Sequence, residues 1–176
     1  ACEDKIFLDY CREHRLGMEN PLVAMLASIT KKSSCQEIQD FVSKQGKIDL
    51  SQKGLKNVTA LNGIEGLKEI SLSRNEIVHV NSLLQLTALE ELNLAHNRLS
   101  DLNLLSRMTN LRTLYLSYNP VTSHYPLGSM EWLESLHLTS TTGEGLFVLE
   151  NLINLVSLSL GANGLVDVSF VKAMHQ

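Results

Sequence analysis

The chain has 176 residues, 44% of them hydrophobic but only 5% aromatic, and a formal charge of −4. That length can bury an ample single core. The negative balance, with no basic cluster larger than Lys31–Lys32, argues against a nucleic-acid partner. No apolar run approaches the roughly 18 residues that a membrane-spanning helix needs.

The first residues are Ala1 and Cys2. With no initiating methionine and no signal peptide, the chain reads as a processed or trimmed protein. Residues 3–44 predict an N-terminal helical cap. In "DKIFLDYCREH" the pairs Ile6/Tyr10 and Phe7/Cys11 stand four apart, a helical spacing. In "NPLVAMLASI", Asn20 is placed as an N-cap and Pro21 as the first helical residue. In "SSCQEIQDFVSKQ", Ser34 and Glu37 form a capping box ahead of Ile38, Phe41 and Val42. Two or three short helices are therefore expected over residues 1–44, covering the apolar end of the segment that begins at residue 45.

From residue 45 a single pattern recurs. "LKEISLSRNEIVHV", "LEELNLAHNRLSDL", "LRTLYLSYNPVTSH", "LESLHLTSTTGEGL" and "LVSLSLGANGLVDV" begin at 67, 89, 111, 133 and 155, each 22 residues after the last. "QGKIDLSQKGLKNV", from Gln45, matches apart from its first position. Six units thus fill residues 45–176, and L-x-x-L-x-L-x-x-N-x-L at a fixed period is the leucine-rich-repeat signature. The predicted fold is an α/β repeat: a solenoid with a parallel β-sheet on its concave face and short 3₁₀ or helical segments on its convex side. Positions 4 and 6 sit two apart on a strand and point into the core. Position 9 is Asn75, Asn97, Asn119 and Asn163 in four units. A buried amide there can pair backbone groups where the chain leaves the strand. Lys53 holds this position in the first unit, so its turn is expected to be built differently. Positions 14, 17 and 20, such as Leu102, Leu105 and Met108, are spaced by three, as a tight 3₁₀ return requires. One unit cannot bury its apolar face alone, so neighbours must stack and the first must be capped.

Residues 67–138 resemble the 22-residue leucine-rich repeats of bacterial internalins and of the phosphatase-regulator type, with consensus L-x-x-L-x-L-x-x-N-x-I-x-x-I-x-x-L-x-x-L. The front end resembles a family of secreted bacterial leucine-rich-repeat proteins that open with F-x-x-W-C, continue with S/T-x-x-C and enter I-D-L-S-x-x-G-L. The matching residues are "FLDYC" (Phe7 to Cys11, with tyrosine for tryptophan), "KSSC" (Lys32 to Cys35) and "KIDLSQKGL" (Lys47 to Leu55). The resemblance implies a Cys11–Cys35 bridge, a loop of 24 residues (35 minus 11) whose closure stabilises by about 3 kcal/mol. The alternative is a pair of buried thiols in a cytosolic protein. Cys2 is then the odd cysteine: the acceptor of a bacterial lipid anchor, a dispensable residue, or the true partner of Cys35. The resemblance implies a secreted, periplasmic or cell-surface setting, against a cytoplasmic one.

The sequence holds no pattern for catalysis. Its six histidines form no H-x-x-x-H and pair with no nearby cysteine, so no metal site is read. No G-x-S-x-G or phosphate-binding loop occurs. Gly143 and Gly145 fall at a repeat turn, and a 22-residue unit has no room for the long helix a nucleotide loop requires. A non-catalytic protein-binding module without cofactor is expected, with an intracellular regulatory subunit of an enzyme such as a phosphatase as the alternative.

Positions 3, 5, 7 and 8 are expected to leave the concave strand away from the core. Position 3 reads Lys47, Glu69, Glu91, Thr113, Ser135, Ser157; position 5 reads Asp49, Ser71, Asn93, Tyr115, His137, Ser159; position 8 reads Gln52, Arg74, His96, Tyr118, Ser140, Ala162. With strands about 4.8 Å apart, Tyr115 neighbours His137 and His96 neighbours Tyr118. These four are predicted to form one partner-binding cluster on a small, polar surface, with Arg74 at its edge. The unit from 133 departs from the pattern, with Thr141 at position 9 and Gly143 at position 11. A gap or a re-routed turn is expected there. Leu160, Leu165 and Val168 belong to the last unit; either the native chain continues or this end associates with a second copy.

Overall fold

The 22-residue period reappears as strand register. In the computed structural model, which describes residues 7–8, 20–165 and 169–173, six strands pair in parallel and in sequence order. They are β1 (Lys47–Asp49), β2 (Glu69–Ser71), β3 (Glu91–Asn93), β4 (Thr113–Tyr115), β5 (Ser135–His137) and β6 (Ser157–Ser159). Each residue faces the one 22 positions later: Ile48 pairs Ile70, Ile70 pairs Leu92, Leu92 pairs Leu114. Backbone pairing runs on past each three-residue strand, as in Leu72 N–H to Asn93 C=O at 2.8 Å and Arg74 N–H to Ala95 C=O at 2.9 Å.

Behind the sheet the leucines stack in columns. Ile70, Leu92, Leu114 and Leu136, and beside them Leu72, Leu94, Leu116 and Leu138, are buried. A fully buried leucine contributes about 1.5–3 kcal/mol by removal from water. The chain returns on the convex side through 3₁₀ turns at Thr59–Leu61, Asn81–Gln85, Asn103–Arg107, Tyr125–Ser129 and Leu146–Asn151. Leu83, Leu105, Leu127 and Leu149 plug these turns into the same core.

The two described cap helices begin where the sequence predicts. Helix α1 (Pro21–Thr30) is capped by Asn20, whose side-chain oxygen accepts from Leu22 N–H at 2.9 Å, with Pro21 at the first position. Helix α2 (Cys35–Gln45) opens on a reciprocal Ser34–Glu37 capping box. The hydrogen bonds from Ser34, then those from Ser33, hold the Glu37 carboxyl below its usual range. Gly46, with φ +67°, ends α2 in a left-handed conformation that glycine adopts without steric cost. Its carbonyl accepts from Lys68 and Glu69 N–H, tying the cap to β2. Leu22, Val23, Leu26, Ile38 and Val42 join one apolar cluster with the repeat leucines. Cys35 is disulfide-bonded. Cys2, Cys11 and Val168 lie outside the described residues, and so therefore do the expected Cys11–Cys35 pairing and the assignment of Cys2. At the far end, helix α3 (Ser169–Ala173) packs Phe170 against the core, while Leu158, Leu160 and Leu165 are half-buried.

Each position-9 asparagine closes two turns at once. The Asn97 amide donates to Leu94 C=O of its own repeat at 3.0 Å and to Leu72 C=O of the repeat before at 2.9 Å; its oxygen accepts from Ile77 N–H at 3.0 Å. Asn119 repeats this with Leu116, Leu94 and Leu99, and Asn75 with Leu72, Leu50, Leu55 and Lys53. In the first unit the turn is served by Asn75 from the next repeat, and the Lys53 side chain stays exposed.

Replacing Asn97 by alanine leaves the Ile77 amide without its acceptor and takes one of two amide donors from the Leu94 and Leu72 carbonyls, which keep Asn119 and Asn75. Urea titration is expected to show a loss of about 1–3 kcal/mol, whereas Lys53→Ala, which touches only an exposed side chain, should change little. Equal losses at both sites would remove the asparagine ladder as the source of turn stability.

Candidate functional site

The concave sheet carries the side chains that the sequence singles out. Tyr115 on β4 and His137 on β5 are register partners, and their rings stack with centroids 4.4 Å apart and planes 10° from parallel. His96 and Tyr118 stack in the same way, at 4.2 Å and 9°. Aromatic stacking adds about 0.5–1.5 kcal/mol per pair beyond area burial. Among the described residues no ring contact joins the two pairs, so the geometry is two separate stacks rather than one four-ring cluster. The reason lies in the backbone. Position 8 falls beyond the three-residue strand, in a turn: Gln52, Arg74, His96, Tyr118, Ser140 and Ala162 all have φ between 54° and 60°. Left-handed backbone costs a non-glycine residue about 1–2 kcal/mol. Here it recurs in every repeat, and at Gln52, Arg74, His96, Tyr118 and Ser140 the position-8 N–H is held by a ladder bond to the next repeat.

Tyr118 keeps 49% of its surface exposed, while Tyr115, His96 and His137 are half-buried. Burial and, secondarily, the Arg74 charge hold the His96 pKa below its usual value. Burial and then the nearby Glu91 carboxylate raise the Tyr115 phenol. Arg74, exposed at position 8 of the preceding repeat, thus borders the His96–Tyr118 stack. Around the rings the face is a hydroxyl network: Ser51 to Ser71 at 2.6 Å, Ser73 to Ser51 at 3.1 Å, Thr139 to Ser159 at 3.0 Å, and Ser135 to His137 Nε2 at 3.2 Å.

Comparison with known proteins matches these features to a family. The sequence family described as "Leucine rich repeat" matches residues 47–99, and that described as "Leucine Rich repeats (2 copies)" matches residues 87–123. Residues 47–123 carry leucine-rich repeats, and the sheet has the leucine-rich-repeat solenoid fold. Among solved structures it is similar to internalin F of Listeria monocytogenes, with a TM-score of 0.77 at 22% identity, over 88% of this chain and 46% of that one. It is also similar to internalin C2 of the same organism, with a TM-score of 0.63 at 23% identity, over 85% of this chain and 76% of that one. The leucine-rich-repeat chain therefore spans about half the length of the internalin F structure, and at these identities the likeness establishes the fold. TLR13, solved as a complex with ssRNA13, matches at a TM-score of 0.52 and 26% identity over 61% of this chain and 17% of that one. No curated protein sequence matches.

Within the leucine-rich-repeat stack, the departure near residue 141 is a coupled rearrangement, and sequence reasoning missed its centre. Position 14 is apolar in the flanking repeats (Leu102, Leu146), but in the unit from 111 it is His124, which is fully buried. Its Nε2 lies 3.0 Å from the Thr141 hydroxyl and its Nδ1 lies 3.1 Å from the Glu144 carbonyl. Facing a carbonyl, Nδ1 carries the proton, so in the neutral ring Nε2 is an acceptor that shares the one Thr141 hydroxyl proton with Leu138 C=O. Thr141 reaches Leu138 C=O at 2.8 Å in its own repeat but is too short to serve the repeat before. The Val121 amide, at the position that Asn97 serves for Ile77, turns instead to the Asn119 carbonyl at 2.8 Å. Gly143 lets the two turns close up: a Cβ there would meet Val121 O at 2.7 Å and the Thr122 carbonyl carbon at 2.9 Å. The turn is re-routed, with a strand-like bridge between Ser123 and Glu144. The available signal was a histidine at an apolar repeat position, just ahead of the two anomalies in the next repeat. The same region exposes a third ring pair, on the convex side, Tyr125 and Phe147, edge to face at 5.8 Å, with the Tyr125 ring lying over Gly145.

Burial holds the His124 pKa below its usual value, against the raising effect of the Glu144 and Gly143 carbonyls. The unfolded chain therefore takes up a proton more readily than the folded one. The stability this contributes is complete above about pH 6.5 and falls as the pH drops from there toward the folded pKa. Melting curves at pH 7.5 and 5.5 should show the parent losing stability and His124→Leu losing less. The leucine variant leaves Glu144 C=O bonded to the residue-124 N–H and Thr141 bonded to Leu138. Identical pH slopes would show that His124 stays neutral or is equally accessible in both states.

Proposed function

We propose that this chain is a non-catalytic protein-binding module of a secreted, periplasmic or cell-surface bacterial protein. Its working face is the concave sheet, with Tyr115, Tyr118, His137 and His96 at the centre and Arg74 at the rim. The observation that carries the reading is the pair of Tyr–His stacks. They hold aromatic surface at the solvent side of a sheet whose remaining outward positions are mostly Ser, Thr and other small or polar residues, and they contribute nothing to the leucine core. Tyrosine and arginine are enriched among the residues that anchor protein interfaces, and rings already stacked lose little side-chain freedom on binding.

The disulfide at Cys35 and the likeness of the cap to secreted bacterial leucine-rich-repeat proteins support an oxidising compartment. The resemblance makes Cys11 the partner; peptide mapping under non-reducing conditions should find Cys11–Cys35, and a Cys2–Cys35 peptide would overturn that pairing. RNA, named for one structural neighbour, suits this face poorly, because Asp49, Glu69 and Glu91 stand on its first three strands.

The test takes a partner captured from the source organism and measures its affinity for the parent and for two variants. Tyr115→Ala and Tyr118→Ala should each weaken binding by about thirtyfold, the effect of truncating an interface anchor worth about 2 kcal/mol. The melting temperature should barely move, since neither ring enters the core. Unchanged affinity in both variants would exclude the concave face as the working surface.

A further inference from the structure

We propose that the concave sheet takes a cationic polypeptide: a segment whose Lys or Arg side chains lie against Glu69 and Glu91 while its adjoining residues cover the Tyr115–His137 stack. The inference rests on the concave-face reading of the proposed function and adds the partner's charge and its path.

Glu69 and Glu91 are register partners on β2 and β3, so both side chains leave the same face about 4.8 Å apart. Like charges placed directly opposite each other in a sheet destabilise it. Elsewhere the protein avoids this. Along the edges of the sheet Glu90 meets Lys68 at 2.9 Å, Glu76 meets Arg98 at 3.0 Å, and Glu134 meets Arg112 at 3.7 Å. Among the described residues neither Glu69 nor Glu91 joins an ion pair, even though Lys47 is the next register partner of Glu69. Asp49 is differently occupied, its carboxylate accepting from the Ser51 N–H and hydroxyl and held below its usual pKa by those bonds. The two carboxylates border a shallow cavity of about 330 Å³ together with Asp49, Ser71 and Asn93, and Lys47 is the one cation on its lining, against three carboxylates.

That cavity continues into the aromatic surface. Asn93, on its lining, is the register partner of Tyr115, and Glu91 is near enough to Tyr115 to act on its phenol. From β2 to β5 is three inter-strand steps, about 14 Å, the span of four or five extended residues. A guanidinium fits the near end, since its planar fork of donors can bridge carboxylates and its face can lie on an aromatic ring. A partner's cation would relieve a repulsion that the free protein leaves unrelieved, so the same carboxylates that weaken the isolated sheet would strengthen the complex.

The probe is a displayed library of random 12-residue peptides selected on the intact chain at about 0.15 M salt, with subsequent titration of synthetic copies. Selected peptides should be enriched in Lys and Arg over the input. Their affinity should fall about tenfold on combining Glu69→Gln with Glu91→Gln, fall at least as much on Tyr115→Ala, and decline with added salt. The unliganded double-glutamine variant should melt above the parent. Peptides that need Tyr115 but show no basic enrichment, or basic ones that need Tyr115 but are indifferent to both glutamates, would refute the cationic partner and leave the concave reading standing. Peptides indifferent to Tyr115 and to both glutamates, or no selectable peptide at all, would overturn both readings. A double variant that melts below the parent would make the carboxylates structural and overturn the proposal.

Discussion

A repeat that leaves a buried sheet every 22 residues must pair the backbone amides and carbonyls it exposes at the turn. A buried polar group without a partner costs about 1–3 kcal/mol, and one such group at each of six turns would cost about as much as the whole stability of an ordinary domain. The position-9 asparagine answers this demand, because a side-chain amide is both a double donor and an acceptor at short reach. By bonding its own repeat and the one before, it also makes the turns interdependent, so the stack is bound along its backbone as well as through its leucines. The left-handed residue at position 8 is tolerated where its N–H is fixed by a ladder bond to the next repeat, whether or not an asparagine follows it.

The exception near residue 141 shows how far the arrangement can bend. Threonine has one hydroxyl where asparagine has two donor hydrogens and an acceptor, so it serves a single turn. Its consequences spread through three further changes: a buried histidine supplies a new partner, a local Val121 bond replaces the missing acceptor, and a glycine admits the backbone of the neighbouring turn. Each change alone leaves a defect, such as an amide without an acceptor, a buried ring nitrogen without a partner or a clash. Together they close.

The rigidity of this frame decides what the concave face can present. A fixed strand register sets side chains at one repeat position beside their counterparts along the sheet. Tyrosine and histidine thereby stack in two rungs, serines link through hydroxyls, and glutamates at position 3 come to stand together. Surfaces of this kind arise from column composition, with no loop or cleft needed to assemble them.

Much of this was legible in the sequence, because the period of a repeat is also a spatial coordinate. The spacing of leucines implied the strand, its register and the columns of the core; Asn97 at position 9 implied a turn built from a side-chain amide; Asn20 and Ser34 marked where the cap helices begin. Those inferences succeed because the interactions are local or recur at one fixed interval. The tertiary structure alone decided the rest. That position 8 turns left-handed and that the rings form two separate stacks are matters of backbone and ring placement, which the spacing of leucines does not encode. That His124 belongs in the core depends on Thr141, 17 residues away and out of step with the period. That Glu69 and Glu91 stay without a cation while Glu90 finds one depends on which side of the strand each leaves and what its neighbours can reach, and the one-dimensional pattern does not record side-chain reach.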